Sequence, residues 1–244
     1  MAGGHGHGHG VEAIAAGHSV VHRLDPRVKI VGLLGLVIVS VSTPAGAWLA
    51  FAAYAAVLVA LCVAARLPAG YVLRRMTVEV PFLAAAAALP FTVPDGLDRG
   101  LTVASKATVG VLAAVVLSST TPFPALIRGF EALRAPRTVT MLVSFMWRYL
   151  YVLGDEARRM RLARDARCYQ GRWLWQAGAV GAMIATLFVR ALERGERVYL
   201  AMLSRGYSGA MPALSGDRLA LRGADLGFLV GLAGVAAAAR VVLP

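Results

Sequence analysis

Two short arginine signatures carry the most chemistry in this chain: A-R-D-A-R-C-Y at Ala163–Tyr169 and M-L-S-R-G-Y at Met202–Tyr207. An arginine at a helix end can hydrogen-bond the last carbonyls. It can also project a planar, forked donor toward a carboxylate or backbone carbonyl on another molecule. Gly206, directly after Arg205, is a natural helix stop. Two helices ending this way offer two forks, 38 positions apart (205 − 167). Both lie in a basic block, Pro122 to Arg222, with 16 arginines against 7 acidic residues, net +9. The block reads as helix, with i,i+4 pairs such as Asp155 with Arg159 and Glu193 with Arg197. Each pair stabilises an exposed helix by ~0.2–0.5 kcal/mol. A solvated helix face beside anionic lipid explains these residues as readily as a partner-docking platform does.

Other chemistry finds no support. No G-x-x-x-x-G-K-[ST] phosphate loop occurs, so no nucleotide site of that type is expected in this chain. All five histidines (His5, His7, His9, His18 and His22) precede the first apolar run. None is left to activate a membrane serine such as Ser105 or Ser118, and no H-E-x-x-H is present, so no catalytic residue is assigned. A stand-alone secondary transporter would show paired repeats with broken helices, and none stands out. The tail carrying His5, His7 and His9 is a weak candidate for collecting a borderline ion such as Co²⁺ or Ni²⁺. A plain flexible tail explains it more simply. Cys62 and Cys168 form neither a disulfide framework nor a metal motif. The Gly/His-rich start lacks the pattern of a cleavable signal peptide, so none is expected.

The elements that position the arginines are apolar. Of 244 residues 58% are hydrophobic and 16% charged, with a mean hydropathy of +0.66, which points to lipid as the solvent. The net charge of +12 suits an anionic membrane face or an acidic partner. Nucleic acid is not expected, for want of a zinc-finger or RNP pattern. Ile30 to Ala65 holds 36 uncharged residues, too many for one span of ~20. The S-T-P-A-G stretch at Ser42–Gly46 divides it, giving one helix to about Thr43 and another over Ala47–Ala65. Further runs cover Val80–Val93, Ala107–Ile127 and Leu226–Ala239, with Pro122 and Pro124 closing the fourth. Asp25-Pro26 starts the first helix, Asp25 as N-cap. Glu79 and Lys106 border apolar runs and are expected to snorkel to an interface. Trp147, Tyr149, Tyr151, Trp173 and Trp175 fit an aromatic belt.

Arg23, Arg27 and Lys29 flank the first span, and the positive-inside rule puts this N-terminal side, the loop with Arg66, Arg74 and Arg75, and the basic block in the cytoplasm. Thr138–Trp147 and Trp173–Val189 are apolar but short, and are expected in long helices lying at or under the bundle. The fold expected is all-α, a polytopic bundle of about five to six spans with long cytoplasmic helices. Its parts are a His/Gly-rich start (1–22), an N-terminal bundle of about four spans (23–121), the arginine-rich region (122–222) and a C-terminal helix (223–244).

Several stretches together resemble a known family. These are H-R-L-D-P-R-V-K at His22–Lys29, S-F-M-W-R-Y-L-Y-V-L-G-D-E-A-R-R-M at Ser144–Met160, A-R-D-A-R-C-Y, and L-E-R-G-E-R-V-Y-L-A-M-L-S-R-G-Y at Leu192–Tyr207. With the order of apolar segments they are similar to the transmembrane T component of energy-coupling factor (ECF) transporters, cobalt type, over nearly everything after His22. The resemblance implies two Ala-Arg-Gly coupling motifs docking in grooves of ATPase subunits. Residue by residue these fall on Ala166-Arg167-Cys168 and Ser204-Arg205-Gly206. Cys168 stands where the pattern has glycine and Ser204 where it has alanine; both arginines are kept. The resemblance further implies a non-catalytic subunit of a bacterial plasma (inner) membrane importer. Its partners would be two cytoplasmic ABC-type ATPases binding ATP and Mg²⁺, a CbiM-like substrate-binding S component, and a small accessory membrane subunit as a further option. Co²⁺ would be cargo held by another subunit. Nickel or a vitamin stays open as the substrate.

Overall fold

Asp25 and Pro26 begin the first helix by a simple mechanism. The Asp25 carboxylate accepts from the Arg27 N–H at 2.9 Å, and Pro26 occupies the first turn, where its missing N–H costs nothing. The structure is a computed structural model describing residues 19, 21–91, 94–167, 177–208 and 223–241, and no strand occurs among them. Helix α1 covers Pro26–Ser42, α2 Trp48–Ala64 and α3 Ala69–Met76. A 3₁₀ turn over Thr77–Glu79 leads into α4, Val80–Ala88, and a second over Leu89–Phe91 follows it. Then come α5 (Gly96–Thr120), α6 (Phe123–Ala132), α7 (Arg137–Ala166), α8 (Ala177–Leu203) and α9 (Gly223–Val241). The chain divides into two units: Met1–Leu133 with Arg218–Pro244, and Arg134–Asp217.

The first unit is built around α5, which packs against α1, α2 and α4, while α9 lies against α1 and α2. Leu33 and Leu36 of α1, Phe51, Tyr54 and Leu58 of α2, and Val109, Leu112 and Val116 of α5 form its core with Leu232 of α9. The Tyr54 ring is fully buried and meets Phe51 edge-to-face at 6.4 Å. The outside is apolar too: Ile38, Leu49, Val63 and Val230 are each at least 64% exposed. Large apolar side chains on both inner and outer faces are what lipid demands and water penalises. By length and composition α5 can cross a membrane, and it alone does so among the described residues; Trp48–Ala64 and Gly223–Ala239 are shorter apolar helices.

Two apolar runs take different bounds from those expected. The fourth helix begins at Gly96, not Ala107, and ends at Thr120, ahead of Pro122 and Pro124, which were expected to close it. The next seven residues include Pro122 and Pro124, and the chain restarts there as α6 with Pro122 as N-cap. The third run is segmented, since Pro81 opens α4 and Pro90 sits in the 3₁₀ turn after it.

Buried charge is the larger correction. Lys29, read from sequence as one of the basic residues flanking the first span, is 1% exposed. Its Nζ donates to the Thr120 carbonyl at 2.9 Å, to Thr121 Oγ1 at 3.1 Å and to the His22 carbonyl at 3.4 Å. An ammonium on the last carbonyl of α5 offsets the partial negative charge at that helix end. Asp225, in the first turn of α9, accepts from the Asp25 N–H at 2.9 Å, and its charge acts on Lys29. The H-R-L-D-P-R-V-K stretch therefore joins the start of α1, the end of α5 and the start of α9. Glu79 does not snorkel: it is 2% exposed and accepts from Thr108 Oγ1 of α5. Lys106 donates to the Val41 carbonyl at 2.8 Å, capping the end of α1.

Close backbone approach sets the α4–α5 contact. A Cβ at Gly96 would lie 2.3 Å from the Leu89 carbonyl oxygen, and one at Gly100 2.6 Å from that of Ala86. This is a small-xxx-small seam, which lets helices meet backbone to backbone. Gly110, on the same helix, has nothing within 4 Å. Gly100→Ala is expected to cost about 1–3 kcal/mol through overpacking. Gly110→Ala is expected to raise stability by about 0.4–1 kcal/mol. Thermal unfolding in detergent checks both, and equal shifts would contradict the seam.

Candidate docking site at two arginine-ended helices

The second unit consists of two long helices. With 30 and 27 residues, α7 and α8 run ~45 Å and ~40 Å. Apolar Thr138–Trp147 is continuous with the charged part of α7, and residues 177–189 form the first half of α8. On α7 the aromatics pair at i,i+4: Phe145 stacks on Tyr149 at 6.5 Å, and Trp147 meets Tyr151 edge-on at 5.4 Å. Trp173 and Trp175 lie outside the described residues.

Each helix ends on its signature arginine. α7 stops at Ala166, and Arg167 is its C-cap, with its N–H on the Arg164 carbonyl at 3.1 Å. Cys168 lies outside the described residues, as do His5, His7 and His9. After α8 the chain makes a complete Schellman closure. The Tyr207 N–H reaches the Met202 carbonyl and the Gly206 N–H the Leu203 carbonyl, both at 3.0 Å. Gly206 takes φ +80°, the left-handed geometry that a side chain resists, and this leaves Arg205 as the cap residue. Ser204 Oγ turns back to the Ala201 carbonyl at 3.0 Å. Ala166, Arg167, Ser204, Arg205 and Gly206 are all exposed. Among the described residues no other side chain engages either guanidinium.

Two contacts give the pairing of the helices. Glu156 of α7 meets Arg190 of α8 in an ion pair, and Tyr207 Oη approaches Met141 Sδ at 3.5 Å. Rising numbers on one helix meet falling numbers on the other, so the pair is antiparallel. The signature arginines are thus not brought together. Arg167 lies 11 residues beyond the Glu156 contact and Arg205 15 beyond Arg190, or ~16 Å and ~22 Å in opposite directions. Such a pair offers two separate cationic ends, each able to fill its own acceptor groove. It offers no single basic patch.

Sequence reading misplaced one partner in this unit. Asp155 sits 3.7 Å from Arg158 at i,i+3, and the structure records no contact with Arg159. Glu193 and Arg197 do meet, at 3.8 Å. The Glu156–Arg190 pair was missed altogether, because its partners are 34 positions apart and no local spacing links them.

Residues 17–214 match the CbiQ family, described as cobalt transport protein. The chain belongs to this family. Among curated relatives it is 29% identical over 153 residues to the cobalt transport protein CbiQ of Rhodobacter capsulatus, a match spanning 62% of this chain and 61% of that protein. It is 25% identical over 245 residues to the energy-coupling factor transporter transmembrane protein EcfT of Listeria innocua, covering 89% of this chain and 91% of the relative. A putative fused cobalt transport protein CbiMQ of Methanocorpusculum labreanum is 29% identical over 115 residues, 47% of this chain and 19% of the fusion. The chain therefore spans less than two thirds of the first and third of these relatives. All three carry names of transport or transporter proteins, and that of the Listeria relative names it a transmembrane protein.

The closure after α8 makes its own prediction. Gly206→Ala places a Cβ in left-handed geometry and is expected to cost about 1–2 kcal/mol at the helix end. Gly195→Ala, within α8 and with open space around it, is the control. Hydrogen exchange should speed up at the Gly206 and Tyr207 amides in the first variant only. Unchanged protection there would contradict the closure.

Proposed function

We propose that this chain is the non-catalytic T component of an ECF-type importer. Its antiparallel helix pair passes movement of two cytoplasmic ATPase subunits to a separate substrate-binding membrane subunit. The observation that carries this is the placement of Arg167 and Arg205. Both are exposed caps of long helices, at opposite ends of an antiparallel pair, an arrangement that suits docking to two ATPase subunits. The residues at these ends are Ala166-Arg167-Cys168 and Ser204-Arg205-Gly206.

The remaining surface supports further subunits. On α7 Leu142, Met146 and Leu150 recur at i,i+4,i+8, and on α8 so do Ile184, Phe188 and Leu192; each is more than half exposed. Such stripes suit lipid or another membrane helix. A relative whose name joins CbiM to CbiQ in one fusion supports a CbiM-like substrate-binding partner. The family description supports Co²⁺ as cargo, carried by that partner, with ATP and Mg²⁺ bound by the ATPases. Among the described residues no cluster of three or more His, Cys, Asp or Glu side chains could hold a metal ion. The proposed location is a bacterial inner membrane, with the N-terminus and the arginine ends cytoplasmic.

The test is the double variant Arg167→Ala with Arg205→Ala in the purified complex. Losing charge-assisted bonds at each end costs ~1.5–3 kcal/mol. A single variant should weaken metal uptake and ATPase stimulation, and the double should nearly abolish uptake while the protein stays in the membrane. Wild-type uptake and hydrolysis in the double variant would refute the proposal. Competition of labelled cobalt by nickel or a vitamin decides the substrate.

A further inference from the structure

We infer that the Glu156–Arg190 ion pair is the fulcrum of the arginine-ended helix pair, a positioning contact that sets where α7 crosses α8. The inference rests on the coupling role proposed above and adds residues that no signature contains.

Three observations converge on it. Among the described residues, the ion pairs Arg158–Asp155, Arg164–Asp165 and Arg197–Glu193 each join neighbours on a single helix. Glu156–Arg190 joins the two helix bodies. It also lies between the two signature ends, with arms of ~16 Å and ~22 Å by helical rise. Finally, the crossing is not densely packed. Instead a cavity of about 180 Å³ opens at the crossing, lined by Val152, Leu153, Glu156, Arg190, Glu193 and Arg194, among others.

A half-exposed ion pair adds little to global stability. Its effect here is on geometry. Sliding α8 by one turn along α7 would carry Arg190 away from Glu156 and shift both arginine ends relative to each other. A pair that holds the register while leaving the crossing loosely packed lets the helices tilt about one point. Tilt at one end then appears at the other.

The experiment is a charge swap in the complete complex with its ATPases and substrate-binding subunit, reading metal taken up per ATP hydrolysed. Glu156→Arg and Arg190→Glu each set like charges against each other at the crossing. Each is expected to lower that ratio about threefold to tenfold, and the double swap E156R/R190E is expected to restore it to within about twofold. Where a single reversal prevents assembly, Glu156→Gln and Arg190→Gln are read in the same way, with a smaller drop expected. A ratio unchanged in the single variants, or not restored by the swap, overturns the fulcrum. Arg167→Ala with Arg205→Ala, run alongside, tests the underlying role by itself. If that variant keeps full coupling, the docking proposal fails; if it loses coupling while the crossing variants do not, only the fulcrum fails.

Discussion

A buried ammonium holds the first unit together. Lys29 is almost wholly removed from solvent, yet it donates to the Thr120 carbonyl, to Thr121 Oγ1 and to the His22 carbonyl. Desolvating a charge is costly unless the site supplies partners of the right sign. Here the end of α5 supplies the Thr120 carbonyl and the Thr121 hydroxyl, and α9 supplies Asp225. The stretch between His22 and Lys29 can take its position only if the end of α5 and the start of α9 are in theirs. Because α5 packs against most of the unit, this clasp fixes one end of the whole bundle.

The two units follow different physical rules. In the first, helices approach through glycine seams and a shared core containing Tyr54, Leu58 and Val116. In the second, α7 and α8 cross with exposed apolar stripes and an open cavity at the contact. Tightly packed interiors resist deformation. Loosely packed elements open and move at low cost. The importer component proposed above needs both properties: a frame that stays in the bilayer and a lever that answers its partners.

Much of this was legible in the sequence, for identifiable reasons. The all-α membrane class follows from apolar runs of span length, and the first helix start from Asp25-Pro26, a local capping rule. The helix end at Gly206 follows from glycine's tolerance of left-handed geometry. What stayed hidden was non-local. Lys29 reads as a flanking charge until Thr120, 91 positions away, is placed beside it. Glu79 reads as interfacial until Thr108 is seen to bond it. The Gly96–Gly100 spacing was visible but lay among Asp95, Asp98 and Arg99, ahead of Lys106, and the uncharged run begins only at Ala107. Glu156 and Arg190 each have nearer opposite charges along the chain, so helical spacing alone points to the wrong partners.

The central claim is that one pair of partners on one side of the membrane reaches both arginine ends. Sidedness tests this most directly. Arg167→Cys and Arg205→Cys, each in a background lacking Cys62 and Cys168, are labelled with a membrane-impermeant maleimide in intact cells and in inverted vesicles. Both positions should react only in inverted vesicles, since α8 has to lie with its two ends on the same face. Labelling of either from outside the cell would place the signatures on opposite faces and contradict a common docking surface.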